Sequence, residues 1–332
     1  MLQVLDSGAS AWIEFEQQAE RCRRGFAALI GAEPEQIALI PNASIGAYQI
    51  ISTLSLEARD VVVTSSEEFP SVAHVWLAQQ RCGVHVRFVD AREAYGAAID
   101  RRTALVSVPL VTYALGAVLP VAEIAGTAHA RGARVFVDAY QAVGVLPVDV
   151  DDLNCDYLVA GAQKYLLGLP GIAFLYVRQG AGTELEPTMT GWFGRTDPFA
   201  FDARRLDFPP TARRFETGTV AVPAVYAANA GLHLLAETDP HEVASHVADL
   251  TELAAEGLIA RGELVPSLAR EQRGAHVALG ERDPHRLAEW LDSRGIRASP
   301  RGSLLRLAFH YYNSPDDVEA ACDAIEEYRA AT

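Results

Sequence analysis

Two side chains suited to covalent and acid–base chemistry follow apolar segments of this sequence. Asp138 comes directly after Val135–Val137, and Lys164 follows Tyr157–Ala160 after three residues. Among 28 basic residues Lys164 is the only lysine, which argues against an ordinary surface charge. Ligands of open α/β sheets bind beyond the carboxyl ends of strands. The two side chains are therefore expected to face one crevice, although an aspartate at a strand end can also be a simple turn residue.

A lysine and a buried carboxylate form the pair that pyridoxal 5'-phosphate (PLP) requires. The lysine amine attacks the cofactor aldehyde to form a Schiff base and later serves as acid and base at the substrate α-carbon. The carboxylate keeps the pyridine nitrogen protonated, which makes the ring an electron sink. The sequence therefore predicts an enzyme that holds PLP on Lys164, opposite Asp138, and acts on the α-carbon of an amino acid.

A candidate phosphate site precedes this pair in the chain. Asn42, Ala43 and Ser44 follow a predicted strand and open a predicted helix. Backbone N–H groups at a helix N-terminus bind anions, and the Ser44 hydroxyl adds a donor. Ser44 as a simple helix cap is compatible with the same role.

These segments resemble the class V aminotransferase group of fold-type-I PLP enzymes, which includes cysteine desulfurases, kynureninases and isopenicillin-epimerase-like proteins. The resemblance spans nearly the whole chain, and its strongest parts are Asp138–Gln141 and Gln163–Leu166. It implies that Gln141 lies near the cofactor's phenolic oxygen and that Gln163 approaches the phosphate, where an amide can donate a hydrogen bond. The family's usual Ser or Thr three positions before the lysine is Gly161 here, which removes one donor.

Two aromatic segments resemble kynureninases in particular. The family places a ring on the pyridine face at the position of Phe69, and the Phe69-Pro70 context is kynureninase-like; core packing is the alternative role for Phe69. The stretch Gly191–Gly194 resembles a kynureninase G-W-W-G segment, and it makes Trp192 a candidate for the substrate pocket, as is Tyr113.

The resemblance also implies a homodimer with shared sites and a substrate clamp. Arg214–Thr219 resembles an R-F-E-x-G-T element whose threonine reaches the phosphate of the neighbouring subunit, so Thr219 is expected to complete the partner's site. Arg306 resembles the strand arginine that grips the substrate α-carboxylate, and a bidentate clamp would orient the bond to be cleaved. Arg297 and Arg301 are alternatives for that clamp.

The cofactor residues do not choose among reactions. A cysteine desulfurase needs a nucleophilic cysteine before the carboxylate-binding arginine, and none lies between Gly295 and Leu305. The leading hypothesis is a lyase that cleaves a bond at Cβ, as kynureninases and C–S lyases do. Transamination and epimerisation are alternatives. A PLP-binding regulatory module is disfavoured. Such a module would have a degraded lysine or carboxylate and an appended DNA-binding domain, and neither is seen in this sequence.

The elements that must position these residues follow from periodicity. Short β-branched runs alternate with amphipathic segments, the pattern of a mostly parallel sheet with helices on both faces. The predicted strands are Ile37–Ile40, Val61–Thr64, His85–Val89, Ala104–Pro109, Arg134–Val137, Tyr157–Ala160 and Ile172–Val177. The predicted helices are Ile45–Leu56, Ser71–Cys82, Val121–Arg131, Val222–Glu237, His241–Arg261 and Pro315–Arg329, with a further long helix near Ala9–Ala32.

The division of the chain follows from its length and from one irregular stretch. A single core stops growing at roughly 250 to 300 residues, and this chain has 332. We predict a large PLP-binding α/β domain over residues 1–238 and a small C-terminal α+β domain over residues 239–332. The Pro- and Gly-rich stretch Gly180–Arg214 is expected to be an active-site excursion. The family's N-terminal gate segment is not recognised before the first helix and is missing, truncated or rebuilt; if it is absent, this excursion is expected to supply part of the gate.

Composition narrows the partners and the compartment. The formal charge is −15 and no Lys/Arg-rich run occurs, so nucleic acid and anionic membranes are poor partners. No apolar stretch reaches the roughly 18 residues of a membrane span. The four cysteines are widely spaced, and the histidines have no metal-like spacing, so we expect no metal, no disulfide framework and a cytoplasmic location.

Overall fold

The computed structural model describes residues 8–90, 94–181 and 186–332. Its centre is a seven-stranded sheet in the order β1-β7-β6-β5-β4-β2-β3. All neighbours from β6 to β3 pair in parallel, whereas β7 is antiparallel to both β6 and β1. The strands are β1 (Ile37–Ile40), β2 (Val61–Ser65), β3 (His85–Val89), β4 (Thr103–Pro109), β5 (Arg134–Asp138), β6 (Tyr157–Gly161) and β7 (Ala173–Val177). The mostly parallel α/β fold expected from the sequence is therefore confirmed.

Helices cover both faces of this sheet because successive residues of a strand point to opposite faces and are apolar on both. Val61 and Val63 belong to one core, and Val62 belongs to the other. Helices α1 (Ala11–Leu29), α4 (Val121–Ala130) and α5 (Val222–Ala236) pack on the first face, and α2 (Ala43–Ile51) and α3 (Pro70–Ala78) pack on the second. Single-turn helices lie at Tyr95–Ala98 and Val150–Leu153.

A second, three-stranded antiparallel sheet forms near the C-terminus in the order β8-β10-β9. Its strands are β8 (His276–Gly280), β9 (Ser299–Arg301) and β10 (Leu304–Ala308), and it packs with helices α6 (Pro240–Ala260), α7 (Pro284–Asp292) and α8 (Pro315–Ala331) around a separate apolar core. The predicted boundary between residues 238 and 239 falls between α5 and α6. None of the described helices combines the length and apolar character that crossing a membrane takes.

The excursion and the remaining connections contain short 3₁₀ turns. In the described part of the excursion these are Trp192–Gly194, Pro198–Ala200 and Ala212–Phe215; the others are Gly8–Ser10, Pro34–Gln36, Gln79–Cys82 and Arg270–Gln272. Part of the predicted excursion, residues 182–185, lies outside the described residues.

Helix α2 differs most from its prediction, beginning two residues earlier and ending five residues earlier than Ile45–Leu56. It begins early because Asn42, not Ser44, is the cap, accepting a hydrogen bond from the Ile45 N–H at 3.1 Å. It ends early where the hydroxyls of Ser52 and Thr53 donate to the carbonyls three residues back, a local bond that competes with helix continuation.

Candidate active site

A cavity of about 470 Å³ opens at the carboxyl ends of the parallel strands. It brings together eight of the candidate residues predicted from the sequence, which are Ala43, Ser44, Phe69, Tyr113, Asp138, Gln141, Gln163 and Lys164. Asn42, Ile45, Ser71, Pro109, Val111 and Tyr140 complete its lining. The topology explains the convergence, since β5 ends at Asp138 and the neighbouring β6 ends at Gly161, three residues before Lys164.

Asp138 is the last residue of β5 rather than the residue after it, and it is buried. Its Oδ1 accepts a hydrogen bond from the Tyr140 N–H at 2.9 Å. Burial raises the pKa of Asp138, while that hydrogen bond and the nearby Lys164 charge oppose the rise. A cationic N–H in the cavity would therefore find a carboxylate with little competing solvation.

Lys164 is half-buried in the turn that follows β6, and its Nζ lies 5.4 Å from the ring centroids of both Phe69 and Tyr140. Burial lowers the pKa of Lys164 to about 8, with Arg306 and Arg301 adding to the effect and Asp138 opposing it. The neutral amine is the nucleophilic form. The site thus makes that form accessible nearer to neutral pH than an exposed lysine would.

Glu68 is a second buried carboxylate, which the sequence reasoning missed. Its Oε2 accepts from the Ser107 hydroxyl at 2.8 Å, and its Oε1 accepts from the Phe69 N–H at 2.9 Å. Burial, reinforced by the charge of Asp138, raises the pKa of Glu68 to about 8. At neutral pH this shift favours the protonated form of Glu68. The sequence feature that could have indicated Glu68 is its position just after β2 and directly before Phe69.

The N-terminus of α2 faces the same cavity. Asn42 caps the helix through Ile45, which leaves the N–H groups of Ala43 and Ser44 in the first turn. The Ser44 hydroxyl donates to the Ser71 carbonyl at 3.1 Å. Two backbone donors and a positive helix end make this part of the cavity suited to an anion.

Tyr140 occupies the space that the missing side chain at position 161 would take. A Cβ atom on Gly161 would lie 2.1 Å from the Tyr140 Cε1 and 2.5 Å from its hydroxyl oxygen. The same hydroxyl interacts with the Ala43 N–H and with the Gln163 side chain. A phenol thus stands at the helix end where the family usually has a Ser or Thr hydroxyl.

Phe69 lines the cavity instead of the apolar core, which removes the core-packing alternative for its ring. Its ring meets Tyr113 edge-on, with centroids 5.3 Å apart. Helix α3 begins directly after it at Pro70, and the bond from the Phe69 N–H to Glu68 fixes its backbone. The ring is therefore positioned to cover one side of a flat ligand.

A smaller adjoining cavity of about 240 Å³ contains Arg306. Gln141 and Lys164 line both cavities. Arg306 is buried and donates to the Tyr113 carbonyl. Burial, reinforced by Arg301, lowers the pKa of Arg306 to about 10. A guanidinium cation thus lies beside Lys164 in this adjoining cavity.

Two predicted site residues are not brought to these cavities within one chain. Thr219 is exposed and lines a separate cavity of about 310 Å³ with Arg23 and Glu216. Trp192 packs in an aromatic cluster, 5.5 Å from Trp12 between ring centroids. Within its own chain Trp192 lines neither of these two cavities, and its role in the substrate pocket stays a prediction. The Gly191–Gly194 turn packs against residues 216–218, where a Cβ on Gly191 would lie 2.3 Å from the Thr217 carbonyl oxygen.

The sequence profile of the class-V aminotransferases matches residues 3–320. The chain belongs to this family. It is 37% identical to an uncharacterized aminotransferase, YcbU, of Bacillus subtilis, over 95% of this chain and 85% of that protein. It is 28% identical to a kynureninase of Pseudomonas fluorescens, over 84% of this chain and 70% of that protein.

The fold is also found among solved structures. The cystine C–S lyase C-DES, solved with its product cysteine persulfide, aligns with a TM-score of 0.89 over 98% of this chain and 91% of its own, at 21% identity. At that identity the likeness shows the fold alone. The predicted family and the fold-type-I architecture are confirmed, and the chain is an enzyme of a PLP-dependent family.

The residues of the larger cavity, which contains Asp138 and the N-terminus of α2 and is called the main cavity below, fit PLP. A buried carboxylate suits the pyridine nitrogen, the first turn of α2 suits the phosphate, a phenyl ring flanks the space between them, and a lysine of lowered pKa suits the aldehyde. The cavity volume of about 470 Å³ is in the range of small-molecule sites.

Proposed function

We propose that this enzyme binds PLP on Lys164 and cleaves a bond at Cβ of an amino-acid substrate. The observation that carries the cofactor assignment is the convergence of Lys164, Asp138 and the α2 N-terminus on one cavity. When bound, PLP supplies an electron sink for the substrate α-carbon. The contribution of the protein is to position groups and to move protons.

We assign the cofactor-binding roles by chemistry. Asp138 holds a proton on the pyridine nitrogen, and Gln141 donates toward the phenolic oxygen. Ala43, Ser44 and Gln163 donate to the phosphate, and Phe69 packs on the ring. We add the Tyr140 hydroxyl to the phosphate donors because it lies against Ala43 and in the place of a side chain at Gly161.

Lys164 is also the proposed proton carrier at the α-carbon, because its lowered pKa lets the amine take up and release a proton near neutral pH. Arg306, beside it in the adjoining cavity, is the proposed clamp for the substrate α-carboxylate. Holding the carboxylate would fix the orientation of the α-carbon and so select the bond that reacts.

The lyase assignment is supported by the kynureninase-like Phe69-Pro70 and Gly191–Gly194 segments and by the similarity to a kynureninase. The absence of cysteine between Gly295 and Leu305 argues against persulfide transfer. Transamination is the second candidate, favoured by the 37% identity to a protein that bears the name aminotransferase. Epimerisation would use the same Lys164 and Asp138.

We further propose a homodimer in which Thr219 completes the phosphate site of the partner, because Thr219 is exposed and lies outside the Lys164 cavity of its own chain. A cytoplasmic location is supported by four free cysteines, of which three are buried.

The test is the absorption spectrum of the PLP-loaded protein beside Lys164→Ala, followed by addition of kynurenine, cysteine conjugates and alanine. A lysine-dependent band near the visible edge supports the site. Release of pyruvate or alanine identifies a lyase, whereas keto-acid exchange identifies a transaminase. If the wild type and Lys164→Ala have the same spectrum, the cofactor assignment is wrong.

A further inference from the structure

The small sheet presents a polar, basic face on the side opposite to its apolar core. In β8 and β10, Val277, Leu279, Leu305 and Leu307 belong to that core. Directly paired residues of antiparallel strands point to the same face, and neighbours along a strand alternate. Arg306 pairs with Ala278 and Ser299, Leu304 pairs with Arg301, and Ala308 pairs with His276. His276, Arg301 and Arg306 therefore share the face turned away from the core.

This basic face lies beside Lys164. Arg306 and Lys164 line one cavity, and the charge of Arg301 reaches Lys164, His276 and Arg306. His276 is buried, and burial with these charges lowers its pKa to about 3. Two guanidinium cations, those of Arg301 and Arg306, thus lie near Lys164 beside a neutral His276, in a chain whose formal charge is −15.

The two guanidinium groups lack acidic partners in the described parts of the chain. Arg306 donates to the Tyr113 carbonyl, and Arg301 donates to the Pro300 carbonyl at 2.6 Å. Neither takes part in any ion pair among the described residues, whereas Arg297 in the same region pairs with Asp292. The Nε of Arg306 and the Nε2 of His276 are buried without a hydrogen-bond partner. Two guanidinium groups without acidic partners favour the binding of anions at this face.

One substrate carboxylate does not neutralise this face. The α-carboxylate accounts for one guanidinium group, and Asp138 belongs to the pyridine end of the main cavity. The cofactor phosphate is assigned to the α2 N-terminus and to Tyr140. One guanidinium group, that of Arg301, remains without an anion.

We propose that the substrate is an amino acid whose side chain carries a second anionic group, and that Arg301 binds this group while Arg306 binds the α-carboxylate. This inference rests on the proposed function, because it takes Lys164 as the anchor of the cofactor. A carboxylate is the matching chemistry, since a guanidinium group binds it through two parallel hydrogen bonds. Arg301 is then a specificity-determining residue.

The experiment titrates the PLP-loaded enzyme with three acid–amide pairs and follows the change in its absorption spectrum. The pairs are aspartate and asparagine, glutamate and glutamine, and S-carboxymethylcysteine and S-carbamoylmethylcysteine. Members of a pair have nearly the same shape and differ in charge. We expect the acid of at least one pair to bind about tenfold or more tightly than its amide, as hydrogen bonds between charged groups require.

Three variants separate the roles. Arg301→Gln should bring the acid-to-amide affinity ratio close to one and leave the amide affinity unchanged. Arg306→Gln should weaken both members of a pair. Arg297→Gln is the matched control, because Arg297 is exposed and pairs with Asp292, and it should behave as the wild type. A retained absorption band shows that each variant is folded and loaded.

The inference fails if the wild type prefers no acid in any pair, or if no acid binds while alanine does. It also fails if Arg301→Gln weakens acid and amide equally, since Arg301 would then be the α-carboxylate clamp. Failure of the proposed function itself can be distinguished from these outcomes, because the lysine-dependent absorption band would then be missing before any amino acid is added.

Discussion

The chemistry of the main cavity depends on Asp138 and Lys164, which line it, and on Glu68, which is buried close enough for its pKa to respond to the charge of Asp138. Asp138 and Glu68 are both buried, and ionising both would place two negative charges beside each other in a poorly solvated region. Burial and the charge of Asp138 raise the pKa of Glu68 to about 8, which favours protonation of Glu68 at neutral pH. Glu68 also holds Phe69 by its backbone.

Replacing Glu68 by Gln tests this division of charge. Glu68 has a folded-state pKa of about 8 against an ordinary value of 4.5, so the folded chain retains a proton that the unfolded chain releases between those values. Its contribution to stability is present below pH 4.5 and is lost as the pH rises through 8. We expect the free energy of unfolding of PLP-free Glu68→Gln, relative to wild type, to increase by more than about 1 kcal/mol between pH 5 and 8. Urea unfolding measures it, and a difference that stays flat with pH would contradict it.

Tyr140 and Gly161 form a complementary pair, and a double substitution tests it. Tyr140→Phe removes the phenol from the α2 end and should weaken PLP binding about tenfold, the effect of one hydrogen bond to a charged group. Gly161→Ser places a Cβ 2.1 Å from the Tyr140 ring and should be destabilised by about 2 kcal/mol. Combining Gly161→Ser with Tyr140→Ala should recover stability and PLP affinity together.

PLP affinity is measured by titration of the apoenzyme, and stability by chemical unfolding. Tyr312→Phe is the control, since Tyr312 is 65% exposed and lines the adjoining cavity instead of the phosphate end of the larger one. If Gly161→Ser is as stable as wild type, or if the double variant is no better than the single one, the two side chains do not share one position.

At the scale of the elements, the site depends on where a few strands and helices end. Lys164, Asp138 and Phe69 all follow or terminate strands, and Ala43 and Ser44 begin a helix. Small shifts of those ends would move a side chain away from the cofactor, so capping residues near the cavity serve both stability and binding.

Asn42 gives a direct test of that double role. Asn42→Ala removes the acceptor for the Ile45 N–H and should cost about 1 kcal/mol of stability. It should also weaken PLP binding severalfold, because the first turn of α2 loosens. Asp239→Ala is the matched control: Asp239 caps α6, accepting from the His241 N–H at 2.8 Å, so it should lose similar stability without loss of PLP affinity. Equal PLP affinities in both variants would contradict the role of Asn42.

The sequence anticipated the strands and the cavity well, for physical reasons. Buried parallel strands are continuous apolar runs, and Lys164 was recognisable because no other lysine competes with it. The ends of α2 were less predictable, because they depend on the local bonds of Asn42, Ser52 and Thr53. Glu68 was missed because its significance arises from burial next to Asp138, a contact between distant segments. The packing of Trp192 against Trp12 could not be predicted, because the excursion has no periodicity to indicate it.

At the scale of the whole molecule, the position of Thr219 makes a prediction about subunits. If Thr219 serves the partner's site, mixing Lys164→Ala and Thr219→Ala chains creates one site per heterodimer that has both residues intact. We expect the mixture to contain sites with wild-type PLP affinity, which neither parent has. Affinity titration of the mixture after subunit exchange measures this. If Thr219 acts within its own chain, or not at all, no such gain appears.

Because the chain has a single lysine, the fraction of chains that carry the cofactor can be measured by proteolysis. A protease specific for lysine has one bond to cut in the unfolded chain, the one after Lys164. Reducing the link between Lys164 and its cofactor with borohydride would block that bond permanently. The fraction of chain that survives digestion intact then equals the fraction of sites that were loaded, which gives the cofactor stoichiometry on a gel without any spectroscopy.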